Sequence, residues 1–546
     1  MTIDRREFVT TGAGSLLVLA GAPALVRQQG THDLVIRGGT VFDGTGGPGV
    51  EADVAMSAGK ITQVGPRLGR GTEEIDARGM VVSPGFVDIH SHGDGSIEED
   101  PRQESLVRQG ITTIVAGQDG SSRGGARTEA GGQGPAGAFA ALLASIDAMK
   151  PAVNVASMIG LGSVRGRVVG NDDRKATPDE LRTMVAMVES ALVEGACGAS
   201  SGLEYTPGAF ASTEELIALC KPLASRRLPY ATHMRNEDDR LLDSIDESMA
   251  VARGAGCPLQ ISHLKTQGPR NWSKLDTVFA RIESAAAGGL DVTFDRYPYI
   301  AYATGLTNLF PVWSRDGGTD AFLARLSDPS VSPRIRTETL AKVDLIGGWE
   351  NVHISSVRAP EDRAAEGKRL GTYAQSINAD PYQLSVAMLG RNRGNIGMVG
   401  FAMSEENLDR ILAHPRGMVA SDGGAFAIDG PTRRGSPHPR GMGTFPRVLG
   451  RYVRARKALD LPSAIYKMTA FPASRVHLAD RGQLKQGFAA DVVIFDPTTV
   501  YDQATYEQPF QYPVGIRAVV INGVVALRDE QRNERLSGRA LRPEQR

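Results

Sequence analysis

Hydrophobic and polar positions alternate with a period of two at both ends of the chain, between glycine-rich turns. Within residues 32–84 the pattern runs through DLVIRGGTVFD, ADVAMSAGKITQVG and EEIDARGMVVSPG. It returns within residues 478–546, in RGQLKQGFAADVVIFDP and GIRAVVINGVVALRD. Such alternation predicts short antiparallel strands with one buried face. We therefore expect the two chain ends to come together in one small β-domain.

The long middle part, residues 85–475, has a different rhythm. Apolar runs that are typical of buried strands alternate with helical stretches such as TPDELRTMVAMVESALVEG; the strand-like runs are ITTIVAG, VNVASMIG, GACGASSG, LPYATH, PLQISH and LDVTFD. Repeated βα units predict an α/β fold with a parallel sheet, and their number suits a (β/α)8 TIM-like barrel. In such barrels the chemistry takes place at the carboxyl ends of the strands.

Polar residues that bind metals follow several of these predicted strands. MVVSPGFVDIHSH predicts one buried strand that ends in His90 and His92, whose side chains at i and i+2 share a face and can hold one ion. His233 and His263 end two further apolar runs, and Asp422 follows another. Any one of them alone is consistent with an ordinary strand-end residue that caps a sheet. Their recurrence at successive strand ends indicates a metal-dependent hydrolase.

Composition and charge agree with an enzyme acting on a small molecule. A chain of 546 residues is too long for one simple hydrophobic core. Its 61 Lys+Arg are balanced by 62 Asp+Glu, so the sequence shows no excess of basic residues that would indicate nucleic-acid binding. Three cysteines, Cys197, Cys220 and Cys257, are too few for a disulfide framework and have no zinc-binding spacing. The sequence does not decide whether the chain forms a homo-oligomer.

The first 24 residues resemble a targeting segment. Arg5 and Arg6 precede the weakly apolar stretch TTGAGSLLVLAGAPAL, which is typical of a twin-arginine signal peptide. We expect export, so that the protein is periplasmic or secreted; the alternative is an amphipathic start to a cytoplasmic protein. No later stretch is apolar over the length that spans a bilayer, so we expect no membrane span.

An ordered set of motifs carries a resemblance over nearly the whole chain after this segment. The set is PGFVDIHSHGD, GITTIVAGQDG, SSGLEYTPG, THMRNE, ISHLKTQG, DRYPY, SDGG, HPRGMGTFPRVLG, KMTAFPASRVHL, RGQLKQGFAADVVIFDP and INGVV. It resembles the N-acyl-D-amino-acid deacylase (D-aminoacylase) branch of the metal-dependent amidohydrolase superfamily. The resemblance implies a distorted barrel with a small β-sandwich from both chain ends, an insert near residues 305–369, and zinc-dependent amide hydrolysis.

The candidate residues suit this chemistry. Neutral imidazoles and a carboxylate suit one or two Zn²⁺ ions, or another divalent metal, and zinc lowers the pKa of a bound water to about 7. Asp422 is the candidate general base and acid, which would take the water proton and pass it to the leaving amine. The alternative for Asp422 is a helix N-cap in the SDGG loop.

Asp119 departs from the family pattern. Where the family carries a cysteine ligand in GNCG, this chain has Gly117-Gln118-Asp119-Gly120. A carboxylate there replaces a soft sulfur ligand with a harder oxygen and can bridge two ions, which favours a second metal or manganese-like ions. Alternatively, Asp119 only hydrogen-bonds a ligand histidine and leaves a single zinc.

Other residues are candidates for substrate binding. Lys265 could pair with a substrate carboxylate or be a solvated surface lysine. Tyr205, and Tyr297 or Tyr299 in DRYPY, could donate hydrogen bonds or simply pack. The resemblance assigns Lys265 and Tyr205 to the substrate.

Four further positions are less determined. Arg235 could lie near the substrate or form an ion pair with Glu237 that orients His233. His438 is either a loop residue or a gate to the site. Tyr302, where the family has small residues, and Leu161, where it has a histidine, change the shape of the pocket.

The function expected is hydrolysis of a linear amide in an acylated small-molecule substrate, an N-acyl amino acid for which the resemblance implies the D configuration. A second amidohydrolase chemistry, on cyclic amides, dipeptides or aryl amides, uses the same metal. A non-catalytic binding protein on a barrel that has lost its activity is the third reading.

Overall fold

A computed structural model describes residues 31–123 and 137–544 of the chain; the predicted signal peptide, residues 1–24, lies outside them. The strands are β1 (His32–Val41), β2 (Val50–Ser57), β3 (Lys60–Gly65), β4 (Gly71–Asp76), β5 (Val81–Pro84), β6 (Phe86–Asp88), β7 (Ile111–Ala116), β8 (Asn154–Ser157), β9 (Ile159–Gly160), β10 (Ala199–Gly202), β11 (Tyr230–His233), β12 (Leu259–Ile261), β13 (Val292–Arg296), β14 (Ala301–Gly305), β15 (Val352–Ser356), β16 (Gly397–Phe401), β17 (Gly417–Val419), β18 (Val492–Phe495), β19 (Ile516–Ile521), β20 (Val524–Arg528) and β21 (Gln531–Arg532).

The α-helices are α1 (Glu104–Arg108), α2 (Ala138–Met149), α3 (Leu161–Val168), α4 (Pro178–Glu194), α5 (Thr213–Ala224), α6 (Leu241–Ala255), α7 (Leu275–Ala287), α8 (Gly318–Ser327), α9 (Ser332–Leu345), α10 (Leu370–Ser376), α11 (Pro381–Arg391), α12 (Glu405–Ala413), α13 (Arg440–Arg447), α14 (Leu461–Met468) and α15 (Ala470–Arg475). None of the helices within the described ranges is long and apolar enough to cross a membrane.

Both chain ends contribute to one nine-stranded sheet. Its order is β21-β20-β19-β18-β5-β1-β2-β3, with β4 paired to β1. The two ends meet where β18 pairs antiparallel with β5, in the register Val493 to Ser83. Alternate residues of these strands form a separate apolar core that includes Ile36, Val54 and Val520. The period-two pattern at each end of the sequence therefore corresponds to one buried face.

The middle of the chain forms a barrel of parallel strands. One run of strands has the order β17-β13-β12-β11-β10-β9 and a second has the order β6-β7-β8. Because only Met158 separates β8 from β9, these two act as one staggered strand, which gives eight barrel strands. The barrel closes between β6 and β17, where Asp422 N donates to His90 O at 2.8 Å and His92 N donates to Gly423 O at 2.9 Å.

The predicted strand through MVVSPGFVDIHSH is two strands that belong to different sheets. β5 lies in the sheet of the chain ends, and β6 is the first barrel strand. The chain passes between them at Gly85, where a Cβ would lie 2.3 Å from the side chain of Thr112. His90 and His92 follow the end of β6 and do not lie within a strand. The prediction of one continuous strand was therefore wrong, although the two histidines still leave the barrel together.

An insert separates β13 from β17, and it is longer than the 305–369 predicted. It begins with β14 and ends with β16, which pair antiparallel in the register Ala301 to Phe401, and β15 completes a three-stranded sheet. Helices α8 to α11 pack on this sheet around their own apolar core. Pairing between strands so far apart in sequence leaves no local signal. The predicted C-terminal boundary of the insert was therefore placed too early in the chain.

Candidate metal centre

Six side chains from five strand ends converge at one mouth of the barrel. His90 and His92 follow β6, Asp119 follows β7, and His233 ends β11; His263 follows β12 and Asp422 follows β17. Ligand atoms lie within 4.8 Å of one another in a first group, His90, His92, Asp119 and Asp422, and in a second group, Asp119, His233 and His263. The structure therefore brings together every residue predicted to bind metal and the predicted base.

The Asp119 carboxylate lies between the two groups. Its Oδ1 is 3.4 Å from His90 Nε2 and 3.5 Å from His263 Nε2. The same oxygen is 3.9 Å from His233 Nδ1, and Oδ2 is 3.4 Å from His92 Nε2. A carboxylate whose oxygens lie near nitrogens of both groups has the placement of a ligand that the two groups could share.

The donor atoms at this centre fit a divalent cation. His90 Nε2 and Asp119 Oδ1 are buried and have no hydrogen-bond partner, a state that proteins avoid unless an ion or water satisfies the atoms. Burial raises the pKa of Asp119, but the charges of His90 and His263 outweigh it and hold this pKa well below its usual range. Imidazole nitrogens and an ionised carboxylate are the ligands that Zn²⁺ takes.

Backbone strain and glycines place these side chains. Asp119, His263 and Asp422 have φ of 52°, 36° and 49°, in the left-handed region that costs energy for most residues and recurs at functional sites. The Asp119 loop also lies against backbone: a Cβ at Gly202 would be 2.1 Å from Asp119 O, and one at Gly160 would be 2.6 Å from the Gly120 carbonyl oxygen. The Gly160-Leu161-Gly162 sequence therefore serves the close approach of the Asp119 loop.

Asp422 is held by an arginine that the sequence reasoning missed. Asp422 Oδ1 is 3.1 Å from His92 Nε2, and Oδ2 accepts a 2.6 Å hydrogen bond from Arg440. Burial raises the pKa of Asp422, but Arg440 and His90 lower it far more, so the carboxylate is ionised at neutral pH. The signal for Arg440 was the HPRG segment, in which only His438 was considered.

His438 anchors the arginine to the insert. Its Nε2 donates to Ala301 O at 3.0 Å, while its Nδ1 accepts from Arg440 N at 3.0 Å. Burial, foremost, and the charge of Arg440 hold the pKa of His438 well below its usual range, which agrees with this neutral tautomer. His438 therefore lies in the site as a fixed link between β14 and Arg440.

Lys265 and Glu237 form a buried ion pair behind His263. Lys265 Nζ is 2.6 Å from Glu237 Oε1 and 2.6 Å from His263 Nδ1. Glu237 Oε1 is 3.1 Å from the same His263 nitrogen. The Lys265 ammonium is therefore already engaged within the protein, and its contact with substrate stays a prediction.

Arg235 does not pair with Glu237. Its guanidinium is 2.9 Å from Glu247 on α6 and donates to Ala209 O and Ala211 O at 2.7 and 2.8 Å. The suggested Arg235–Glu237 ion pair was wrong, because Lys265 occupies Glu237. These contacts tie Arg235 to the loop before α5, and its predicted contact with substrate stays a prediction.

The four candidate tyrosines have different surroundings. The Tyr205 ring is 4.7 Å from the His233 ring, and Tyr205 Oη accepts from Thr304 at 3.2 Å. The Tyr297 hydroxyl is buried and has no hydrogen-bond partner within the described residues. The Arg440 guanidinium carbon lies over the Tyr297 ring, 4.8 Å from the ring centroid. Tyr297, Tyr299 and Tyr302 all belong to the apolar core of the insert, but only the Tyr297 ring among these three also contacts a ring of the centre, His263, at 6.4 Å. Tyr205 and Tyr297 are thus the two that face the metal centre.

A cavity of about 860 Å³ opens beside the metal centre. Its inner wall includes His92, Asp422 and Arg440, and its outer wall comes partly from the insert. Arg358, Arg363 and Arg434 line that outer part together with one carboxylate, Glu366, so the wall carries excess positive charge. The volume lies near the upper end of the range for small-molecule sites.

The chain is similar over most of its length to enzymes of known activity. A family model described as "Amidohydrolase family" matches residues 398–527. The chain is 35% identical to the N-acyl-D-glutamate deacylase of Alcaligenes xylosoxydans xylosoxydans over 525 residues, which covers 94% of this chain and 97% of that protein.

Solved structures give the same result. The N-acyl-D-glutamate deacylase from Bordetella bronchiseptica, complexed with zinc and a phosphonate mimic of the tetrahedral intermediate, is 33% identical, with a TM-score of 0.79 and coverage of 94% of this chain and 100% of that one. A D-aminoacylase with a binuclear metal centre is 33% identical with a TM-score of 0.78 and the same coverage. The predicted fold class is confirmed. The chain belongs to the N-acyl-D-amino-acid deacylase branch of the metal-dependent amidohydrolase family.

Proposed function

We propose that this protein is a zinc-dependent deacylase of N-acyl-D-amino acids, which hydrolyses a linear amide to a free amino acid and a carboxylate. The observation that carries the proposal is the convergence of four histidines and two carboxylates at the mouth of the barrel, beside a cavity that reaches His92 and Asp422. The similarity to N-acyl-D-glutamate deacylase supports the choice of substrate class.

His90, His92, Asp119, His233 and His263 are the residues that would hold zinc. Bound zinc supplies a water of lowered pKa and polarises the amide carbonyl. Asp422 takes the proton of the attacking water at Oδ1 and delivers it to the leaving nitrogen. Arg440 keeps Asp422 ionised and oriented through Oδ2, 2.6 Å away.

Substrate contacts follow from the groups that face this centre. Arg440 presents a guanidinium on the cavity wall, and Tyr297 offers a buried hydroxyl without a partner. An arginine suits a carboxylate because its donors match the two oxygens. We therefore assign the α-carboxylate of the substrate to Arg440, and a carbonyl or carboxylate oxygen to Tyr205 or Tyr297.

The outer wall favours a substrate with a second negative charge. Arg358 and Arg363 are exposed and have no ion pair within the described part of the chain, whereas Arg434 pairs with Glu99 at 2.9 Å. Unpaired cations on a cavity wall attract an anionic group. We infer a preference for acylated acidic amino acids over apolar ones.

A substrate panel tests the function. Zinc-loaded protein should release amine from N-acetyl-D-glutamate, D-aspartate and D-leucine faster than from their L-enantiomers. Asp422→Asn should lower kcat by about 10²-fold or more, whereas Asp429→Asn, an exposed change in the same loop, should not. Turnover confined to cyclic amides or dipeptides would replace this function with the second amidohydrolase chemistry. Inactivity of metal-loaded protein on every amide would favour a binding protein.

A pair of arginine variants tests the side-chain preference. Arg358→Gln and Arg363→Gln should raise KM for N-acetyl-D-glutamate and leave KM for N-acetyl-D-leucine unchanged. Equal effects on the two substrates would contradict the preference and leave the deacylase proposal intact.

We also propose export by the twin-arginine route. Support comes from the adjacent Arg5 and Arg6 before a weakly apolar segment. In fractionated cells the protein should be periplasmic, and the Arg5→Lys, Arg6→Lys double variant should remain in the cytoplasm. Cytoplasmic wild-type protein would refute the proposal.

A further inference from the structure

A third group of buried ligand atoms lies beside the metal centre, and its two carboxylates have no part in the mechanism above. Glu204, which follows β10, lies with His233 and Glu237 in this group. Glu204 Oε2 is 3.4 Å from His233 Nε2. The other nitrogen of that ring, Nδ1, faces the metal centre and is 2.9 Å from His263 Nε2. Glu204 therefore contacts the back of a metal-binding imidazole.

Residues of the insert hold Glu204 in place. Asn308 Nδ2 donates to Glu204 Oε2 at 2.9 Å, and Lys342 Nζ is 4.0 Å from Oε1. Arg315 donates to the backbone carbonyl of Glu204 at 3.1 Å. All three belong to the segment between β14 and β16, with Lys342 on α9. No described residue of the insert is among the candidate ligands. The insert therefore contacts the metal centre indirectly, through Glu204.

The charges show why Lys342 is needed. Two carboxylates, Glu204 and Glu237, approach the same His233 nitrogen at 3.4 and 4.0 Å. Glu237 is paired with Lys265. On the side of Glu204, Lys342 Nζ lies between two buried carboxylates, 2.5 Å from Asp238 Oδ2 and 4.0 Å from Glu204 Oε1. Without Lys342 the buried anions Glu204, Glu237 and Asp238 would repel one another, and Glu204 would turn away from the ring.

We propose that Glu204 is a positioning residue that fixes the Nε2–H tautomer of His233, and that docking of the insert through Asn308 and Lys342 assembles the His233 side of the metal centre. A carboxylate that accepts the ring N–H aims the opposite nitrogen at the ion and makes it a better donor. The inference rests on the proposed function, because it concerns the ion which that function requires. It assigns the insert a role in metal binding as well as in lining the cavity.

Metal binding measured without substrate tests the inference. Apo-protein is titrated with Co²⁺, and the visible absorption band and the Kd from chelator competition are recorded for wild type, Glu204→Gln, Lys342→Met and Lys342→Arg. We expect Glu204→Gln and Lys342→Met to weaken Co²⁺ binding by about 10- to 100-fold and to change the band. Lys342→Arg should restore both, since it returns the cation. With zinc-loaded protein, kcat should fall more than KM changes.

Controls separate this outcome from simple misfolding. Arg334→Met removes a cation from the same helix α9 that pairs with Glu338, and it should leave the Co²⁺ spectrum unchanged. Because Glu204→Gln keeps the shape of the side chain, it carries the test if Lys342→Met fails to fold.

Two results would overturn parts of the scheme separately. A Co²⁺ band and Kd in Glu204→Gln within twofold of wild type would refute the positioning role. Wild-type protein that binds Co²⁺ normally but hydrolyses no acylated amino acid would refute the proposed function, and the effect of Glu204 on metal binding would still be measurable.

Discussion

Replacing Asp119 with asparagine tests the ligand shared by the two groups of the metal centre, with almost no change in the shape of the side chain. The variant removes one negative charge from a buried position where oxygen atoms lie 3.4 to 3.9 Å from four imidazole nitrogens. His90 and His92 then keep the negative charge of Asp422 beside them, since Asp422 Oδ1 is 3.1 Å from His92 Nε2. His233 and His263 keep two imidazoles, fewer than the three protein ligands of catalytic zinc sites.

The magnitude follows from this ligand count. Loss of an outer contact to a metal ligand typically costs 10- to 100-fold in affinity, so loss of the shared carboxylate should cost at least about 100-fold for the ion at His233 and His263. That factor corresponds to about 2.7 kcal/mol. Asp119→Cys should restore binding with a thiolate and shift preference from Mn²⁺ toward Zn²⁺.

Elemental analysis after dialysis and chelator competition measure the effect in wild type, Asp119→Asn, Asp119→Ala and Asp119→Cys. We expect metal content to fall in the first two variants, with the ion at His233 and His263 lost first. If Asp119→Ala keeps the full metal content, affinity and rate, then Asp119 is not a ligand and only a hydrogen-bonding role remains.

Three other predictions test the surroundings of the centre. Gly202→Ala should lower metal content, because its Cβ would lie 2.1 Å from Asp119 O, while Gly390→Ala, which meets nothing within 4 Å, should not; equal metal content in both variants would contradict the steric argument. Arg440→Gln should reduce kcat/KM by roughly 10- to 100-fold and move the acid limb of the pH–rate profile to higher pH, since Arg440 lowers the pKa of Asp422; an unmoved acid limb would show that Asp422 is not the titrating base. Burial, and secondarily the charge of Arg369, lowers the pKa of His353 from 6.5 to about 4. Between these values the unfolded chain binds a proton that the folded chain does not, so stability is complete above pH 6.5 and declines as the pH falls toward 4. His353→Asn should flatten this decline in urea unfolding between pH 5 and 7, and an unchanged slope would exclude His353 as its source.

The sequence was sufficient for the barrel and for the convergence of the candidate metal ligands because each leaves a local signal, although it joined β5 and β6 into one strand. Period-two alternation marks the terminal strands, and polar residues directly after apolar runs mark the strand ends. Since parallel strands put all their carboxyl ends on one side of the barrel, His90, His233 and His263 had to meet once the fold was known.

The second layer of the site left no such signal. Lys265 and Glu237 lie on loops that follow different strands, and the relative position of these loops decides whether Lys265 faces a substrate or Glu237. In the same way, the turn into α13 decides whether Arg440 pairs with Asp422. The predicted ion pair of Arg235 with Glu237 was wrong for the same reason. Glu237 and Glu247 are equally plausible partners in the sequence, and only the position of α6 selects Glu247. Ion pairs between loops are decided by tertiary packing.

The buried carboxylates around the imidazoles are almost all neutralised by the chain itself. Asp422 pairs with Arg440 at 2.6 Å, and Glu237 pairs with Lys265 at 2.6 Å. Asp295, which is 3.4 Å from His90 Nδ1, accepts hydrogen bonds from Gln260 and from the His263 amide. Each of these carboxylates has a partner within the protein that donates to it or pairs with it.

Asp119 is different. Its ion-pair contacts within residues 31–123 and 137–544 are to histidines only, and Oδ1 accepts no hydrogen bond. An ionised carboxylate in such a place is costly unless a cation neutralises it. A lysine or arginine could do so, yet the chain directs its nearby cations to the other carboxylates and surrounds Asp119 with imidazoles, which bind divalent metals when neutral. The charge that balances Asp119 is therefore expected to come from a metal ion, and this is the physical reason for choosing Asp119 as the first residue to replace.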